Sequence, residues 1–104
     1  MHPSKVDRSR LRELTDLPNI GPAMAGDLRL LGITRPDQLV GRDPFVMYEA
    51  LCAATNARHD PCVIDVFISI VRFMNGEPPR PWWDYTTERK KALARGGPEA
   101  RARA

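Results

Sequence analysis

The sequence predicts an all-α domain, and three observations carry that expectation. Apolar residues recur at spacings of three and four, and no stretch alternates cleanly between apolar and polar with β-branched enrichment. Asp-Pro pairs at 43–44 and 60–61 supply a helix cap followed by a proline at the first helical position. Gly32, Gly41 and Gly76 stand where helical spacing stops.

Element by element, a first helix is expected from Ser4 to Asp16. Leu11, Leu14 and Leu17 form its apolar side, and Pro18 stops it. Pro22 opens a second helix that turns Met24, Leu28 and Leu31 inward. Gly32 should provide its left-handed cap, with Ile33 as the apolar residue closing a Schellman turn. Thr34 begins a third, short helix, its hydroxyl as cap and Asp37 as a shortened capping-box acid, with Leu39 and Val40 packing before Gly41.

The fourth helix spans Pro44–Thr55, with Phe45, Tyr48, Leu51 and Cys52 on one face. The fifth, Pro61–Asn75, is apolar around most of its circumference, leaving only Asp65, Ser69 and Arg72 as a polar stripe. Such a helix belongs in the middle of a bundle, or its surplus face is covered by another chain. Segment 77–85 begins Glu77-Pro78-Pro79-Arg80-Pro81 and reads as a stiff, extended strap. Of the adjacent indoles Trp82 and Trp83, one should anchor the strap and the other stay exposed. Thr86 or Thr87 caps a last helix over 86–95, and residues 96–104 form a flexible tail.

At 104 residues the chain has material for one domain, placed at 4–95, and little for an enclosed cofactor chamber. Hydrophobic residues make up 42% and charged residues 28%, as in a globular rather than a disordered protein. The net charge of +3 weakly favours anionic partners. Residues 76–104 hold seven basic and four acidic side chains and so carry an excess equal to that of the whole chain, densest at Glu88-Arg89-Lys90-Lys91. Met1–Arg12 has no apolar run, and no window approaches the roughly 18 consecutive apolar residues of a membrane span, so a cytoplasmic protein is expected.

Enzymatic and metal chemistry find few footholds. Cys52, His59 and Cys62 are irregularly spaced and one short of a structural zinc set. Cys62 at a helix start could be somewhat acidified, but nothing orients His59 beside it as a base. Asp60 reads as a cap, Asp65 as part of the polar stripe, and His59 as a solvent-facing turn residue. Neither a phosphate-binding loop, a dinucleotide fingerprint nor a zincin motif occurs. The expectation is a protein that is not an enzyme, with no cofactor, no metal and no small-molecule substrate, and with both thiols reduced.

The most specific local pattern runs from Leu14 to Leu28: Leu-Thr-Asp-Leu-Pro-Asn-Ile-Gly-Pro-Ala-Met-Ala-Gly-Asp-Leu. It resembles the helix-hairpin-helix motif of DNA-binding proteins, here over 14–32, with Asn19-Ile20-Gly21 as the turn and Ala25 as the small residue after it. Asn19 takes the place of the first glycine. Residues 34–56 resemble a second, degenerate hairpin turning at Gly41-Arg42-Asp43-Pro44. Tandem hairpins of this kind resemble compact five- to six-helix SAM-like domains.

In physical terms, Ile20 should plug the crevice, and Asn19 tolerates positive φ. The amides of the turn and of the next helix's first turn would then face outward. A phosphate oxygen is their natural acceptor. The candidate nucleic-acid contacts are Asn19, Ile20, Gly21, Pro22 and Ala23, with Arg42 at the second turn and Lys90 and Lys91 adding charge. Binding would be to the DNA backbone and independent of base sequence. The alternative is a structural or protein-interaction module, a homodimer through helix 61–75 and the Trp82/Trp83 strap.

Across nearly its whole length the chain also resembles the small bacterial pathogenicity locus, or Cdd1, family, some members of which carry a mitomycin-resistance label. Leu17-Pro18-Asn19-Ile20-Gly21-Pro22, Leu31-Gly32-Ile33, Asp43-Pro44, Asp60-Pro61 and Pro81-Trp82-Trp83-Asp84-Tyr85-Thr86 carry that resemblance. It implies a helix-hairpin-helix fold and little mechanism.

Overall fold

A computed structural model describes residues 1–96 of the chain. Among them are four α-helices, several short 3₁₀ turns and no strand. Helix α1 is Pro22–Leu30, α2 is Pro44–Thr55, α3 is Cys62–Met74 and α4 is Thr86–Ala94. The expected tail lies outside the described residues except for Gly96.

The expected helix over 4–16 does not form. Its place is taken by 3₁₀ turns at Pro3–Lys5, Arg8–Arg10 and Leu14–Asp16. Side chains in this segment capture the backbone groups a helix would need. The Asp7 carboxylate accepts from the Ser9 amide at 2.9 Å, and Asp16 Oδ2 accepts from the amides of Arg12 and Glu13 at 3.0 and 2.9 Å. Arg8 crosses to the far end of α3, donating to the carbonyls of Phe73 and Glu77 at 2.7 and 2.8 Å, with its guanidinium 4.0 Å from the Phe73 ring centroid. Leu14 and Leu17 still reach the core, now from a turn.

The punctuation after Pro22 is largely as expected. Gly32 has φ of +79°, its amide donates to the Arg29 carbonyl at 3.0 Å, and the Ile33 amide donates to Leu28 at 3.0 Å. That is a Schellman closure, and only a glycine adopts this φ without strain. Asp43 Oδ1 caps α2 at the Phe45 amide, 2.9 Å away, and Asp60 Oδ1 accepts from the Cys62 amide at 2.8 Å.

Two caps differ. The third element is a 3₁₀ turn, Pro36–Leu39, closed by Gln38, whose Oε1 accepts from the amides of Thr34 and Arg35 at 2.6 and 2.9 Å. The Thr34 hydroxyl and Asp37 do not do this work; the longer carboxamide reaches back where the shorter acid does not. Helix α4 has no side-chain cap, because the Thr86 hydroxyl donates instead to Asp65 at 2.7 Å.

Helix α3 is the hub. Ile64, Phe67, Ile68, Ile70, Val71 and Phe73 are all buried within the chain itself, against α2, the 36–39 turn and the strap. Of its polar stripe, only Arg72 keeps part of its side chain in solvent. Asp65 and Ser69 are as buried as the apolar residues, because the strap and α4 fold over them. Arg89 supplies Asp65 with bonds at 2.9 and 3.4 Å, and Arg72 is paired with Glu88 and, at 3.8 Å, with Glu77. A carboxylate inside an apolar helix must find a cation, and the one it finds is 24 residues away. The strap is extended to Pro81, and Trp82–Tyr85 then form a 3₁₀ turn leading into α4.

Candidate nucleic-acid interface

Leu17 and Pro18 are buried, and the chain then turns at Asn19, whose φ is +67°. Ile20 is 1% exposed and plugs the core as expected. Ties from distant parts of the chain hold the bend. The Asn19 amide donates to the Met1 carbonyl at 2.7 Å. The Asn19 carboxamide donates to Ser69 Oγ at 3.0 Å and to the Arg80 carbonyl at 2.8 Å. The Met1 ammonium donates to the carbonyls of Leu17 and Ile20 at 3.0 and 2.7 Å. Partial burial lowers the pKa of that ammonium, and the Asp16 carboxylate opposes the shift.

The consequence for an incoming anion is uneven. Two of the expected donors are occupied: Asn19 by Met1, and Ile20 by a long 3.4 Å bond to Leu17. Pro22 has no N–H and serves as the first helical residue. The amides of Gly21, Ala23 and Met24 have no acceptor among the described residues, and Gly21, Pro22 and Ala23 are exposed. Gly21, at the cap position of α1, has no side chain to fold back on them. The open donors therefore sit one step later than the turn itself, on the first turn of α1.

The other candidate residues are elsewhere. At the second turn the Gly41 amide donates to Asn75 Oδ1 at 3.3 Å and the Arg42 amide to Leu39 at 3.1 Å, while Asp43 caps the helix behind them. The Gly41 and Arg42 amides are thus already occupied. Arg42 is exposed, with Nε on the Gln38 carbonyl at 3.2 Å. Lys90 and Lys91 are exposed on α4. Arg42 and Lys91 border neighbouring cavities of about 360 and 660 Å³ that share Phe45 and Glu88. Residues 19–23 line neither of them.

Sequence reasoning did not anticipate the parts played by Met1, Ser69 and Arg89. The lone carboxylate on α3 was a signal for Arg89, since it required a cation from another element. Nothing local signalled Met1 or Ser69.

Both cysteines are free. The Cys62 thiol is pushed up, not down: the Asp60 side chain beside it and its own desolvation outweigh the help of Arg89. His59 is half-buried rather than solvent-facing, with Nε2 2.8 Å from Thr55 Oγ1 and its carbonyl accepting from the Tyr48 hydroxyl. Among the described residues no three His, Cys, Asp or Glu side chains are placed to hold a metal ion, and no helix is long and apolar enough to cross a membrane.

Comparison with known proteins places the chain in a family. The Cdd1 model, described as pathogenicity locus, matches residues 7–91. The chain belongs to the Cdd1 family. A relative from Streptomyces lavendulae, named mitomycin resistance protein McrB, is 46% identical over 85 residues, covering 82% of this chain and 81% of its own length. No solved structure matches. The Cdd1 match takes in the first turn, the hub helix, the strap and both α4 lysines.

Proposed function

We propose that the protein is a non-enzymatic DNA-binding module that holds the phosphate backbone through the amides at the start of α1. In this reading residues 14–32 act as a helix-hairpin-helix element whose first helix is reduced to the 3₁₀ turn Leu14–Asp16. One observation carries it: among the described residues the amides of Gly21, Ala23 and Met24 have no acceptor at an exposed helix start, whereas Asp43 caps α2 and Asp60 accepts from the Cys62 amide at the start of α3. Helix starts attract anions through such donors and through the helix dipole. The ties on Asn19 hold them in place before a ligand arrives, so little ordering entropy is lost on binding. Phosphates carry no base information, so binding is indifferent to sequence. Arg42, Lys90 and Lys91 contribute to the wider field rather than to the same phosphate.

The homodimer alternative has less of α3 to draw on than the sequence suggests, because Ile64, Phe67, Ile68, Ile70, Val71 and Phe73 are buried within the chain, while Val63, Val66 and Met74 are only partly buried. It keeps these and the strap.

Fluorescence anisotropy with a labelled duplex tests the proposal. Binding is expected at about 20 mM salt, with log K falling against log salt at a slope of about −2 to −3 for the two or three phosphates that Arg42, Lys90 and Lys91 neutralise along the duplex. In Ala23→Asp a carboxylate takes the place of the phosphate. Folding should be unharmed or improved by about 0.3–1 kcal/mol through the dipole, while DNA binding disappears. Absence of binding in low salt, or unchanged binding by A23D, overturns the proposal.

A further inference from the structure

The strap ends in two tryptophans that are held differently. Trp82 is half-buried, while Trp83 is 60% exposed, more than any other large apolar side chain among the described residues. Its ring stands edge-on to that of Trp82, with centroids 5.6 Å apart and planes at 82°. Pro78, Pro79 and Pro81 stiffen the approach, so the indole is braced before any ligand arrives. The core does not use it: Phe45, Tyr48, Phe67, Phe73 and Tyr85 fill the buried aromatic positions.

The strap is tied to the first turn by one residue. Asn19 donates to the Arg80 carbonyl at 2.8 Å, and Asn19 also sets the bend that leads into α1. The Arg80 side chain is exposed and in no ion pair among the described residues. Trp83 follows three residues later, so its Cα is no more than about 11 Å from that of Arg80. Stacked nucleotides advance about 3.4 Å each, so the two residues are at most about three nucleotides apart. The neighbouring carboxylate, Asp84, lines the separate cavity with Phe45 and Lys91.

We infer that Trp83 and Arg80 form a site for an unpaired nucleotide, the base stacking on the Trp83 indole and an adjacent phosphate meeting the Arg80 guanidinium. This rests on the phosphate contact proposed at α1, to which the strand continues. Every base has a π-face, so the site remains indifferent to sequence. A duplex keeps its bases inside and can use only the phosphate part. The preferred ligand is therefore single-stranded DNA, or a duplex with a flap or frayed end.

Anisotropy of a labelled single strand and of a duplex of equal length, both at about 20 mM salt, tests this. The strand should bind roughly five- to a hundredfold more tightly, and its addition should quench indole emission. Trp83→Ala should bring the strand's affinity down to that of the duplex, and Trp83→Phe should restore part of the difference. Thermal melts confirm that both variants fold, as expected for so exposed a position. Equal affinity of the parent for strand and duplex, or a preference that survives W83A, overturns the inference and leaves the α1 contact standing. Failure of both ligands to bind overturns the two together. A dimer in sedimentation that W83A dissolves assigns Trp83 to self-association and overturns the inference too.

Discussion

Replacing Arg89 by methionine should remove a large part of this protein's stability, although Arg89 lies on a mostly exposed helix. The reason is Asp65, which is 0% exposed. Its Oδ1 accepts from Arg89 Nε at 2.9 Å, and its Oδ2 from Arg89 Nη2 at 3.4 Å and from the Thr86 hydroxyl at 2.7 Å. Methionine keeps much of the side-chain volume but removes the charge and both of those bonds. Only one neutral hydroxyl then faces a buried carboxylate. Breaking a buried pair from one side costs about 3–5 kcal/mol. A domain of this length has roughly 5–15 kcal/mol of stability in all. Urea unfolding followed by far-ultraviolet circular dichroism should place the R89M midpoint well below the parent's, and the melting temperature should drop by roughly 10–40 °C. The double variant Asp65→Leu with Arg89→Met should recover most of the loss, since apolar replacement of a whole buried pair is often neutral or better. An R89M loss under about 1 kcal/mol, or a double variant no better than R89M, would falsify the account of α4 as a clamp over the stripe of α3.

Two further outcomes follow from the same geometry. Asn19→Ala meets a left-handed backbone that costs alanine about 1–2 kcal/mol, and it also loses the bonds to Ser69 and Arg80, worth about 0.5–1.5 kcal/mol each. Asn19→Gly loses the bonds but not the φ tolerance, so urea midpoints should rank parent, N19G, N19A; equal losses in the two variants would contradict the role given to the positive φ. The carboxyls of Asp7, Asp16 and Asp60 sit below the ordinary value of 3.8, chiefly because backbone amides or, for Asp7, the Ser9 hydroxyl donate to them. A depressed carboxylate contributes stability that is fully present above its unfolded pKa and lost as pH falls through the folded value. Stability should therefore hold down to about pH 4 and decline below it, and Asp16→Asn should flatten that decline; an unchanged acid limb in D16N would show that Asp16 is not one of its sources.

Much of the fold was legible because it is written locally. The first Asp-Pro pair, the Gly32 closure and the apolar circumference of α3 each depend on residues within a turn or two of one another and stand where spacing put them, while at the second pair Pro61 precedes α3 by one residue. Of the expected split of the tryptophans, the exposed member is Trp83, while Trp82 is half-buried. Segment 4–16 misled because leucines at spacing three suit a helix and a set of 3₁₀ turns equally. The choice fell to Asp7 and Asp16 capturing nearby amides, and to Arg8 finding carbonyls 65 and 69 residues away. The candidate site was half legible. Asn19 as the bend and Ile20 as its plug follow from residue type. Which amides stay open does not, because Met1 and Leu17 take two of them.

The amino-acid order alone determined that this chain is helical, where its later helices start and stop, and that α3 must be enclosed. Those are consequences of backbone sterics, capping and apolar periodicity, which act over a few residues. Tertiary structure alone decided that the stripe on α3 is a buried seam and not a wet face, that Arg89 is the counter-ion Asp65 needs, and that the strap is moored to the first turn through Asn19. Each of these joins groups between 24 and 61 residues apart. Burial makes such partners obligatory without naming them, and only the packed chain does so.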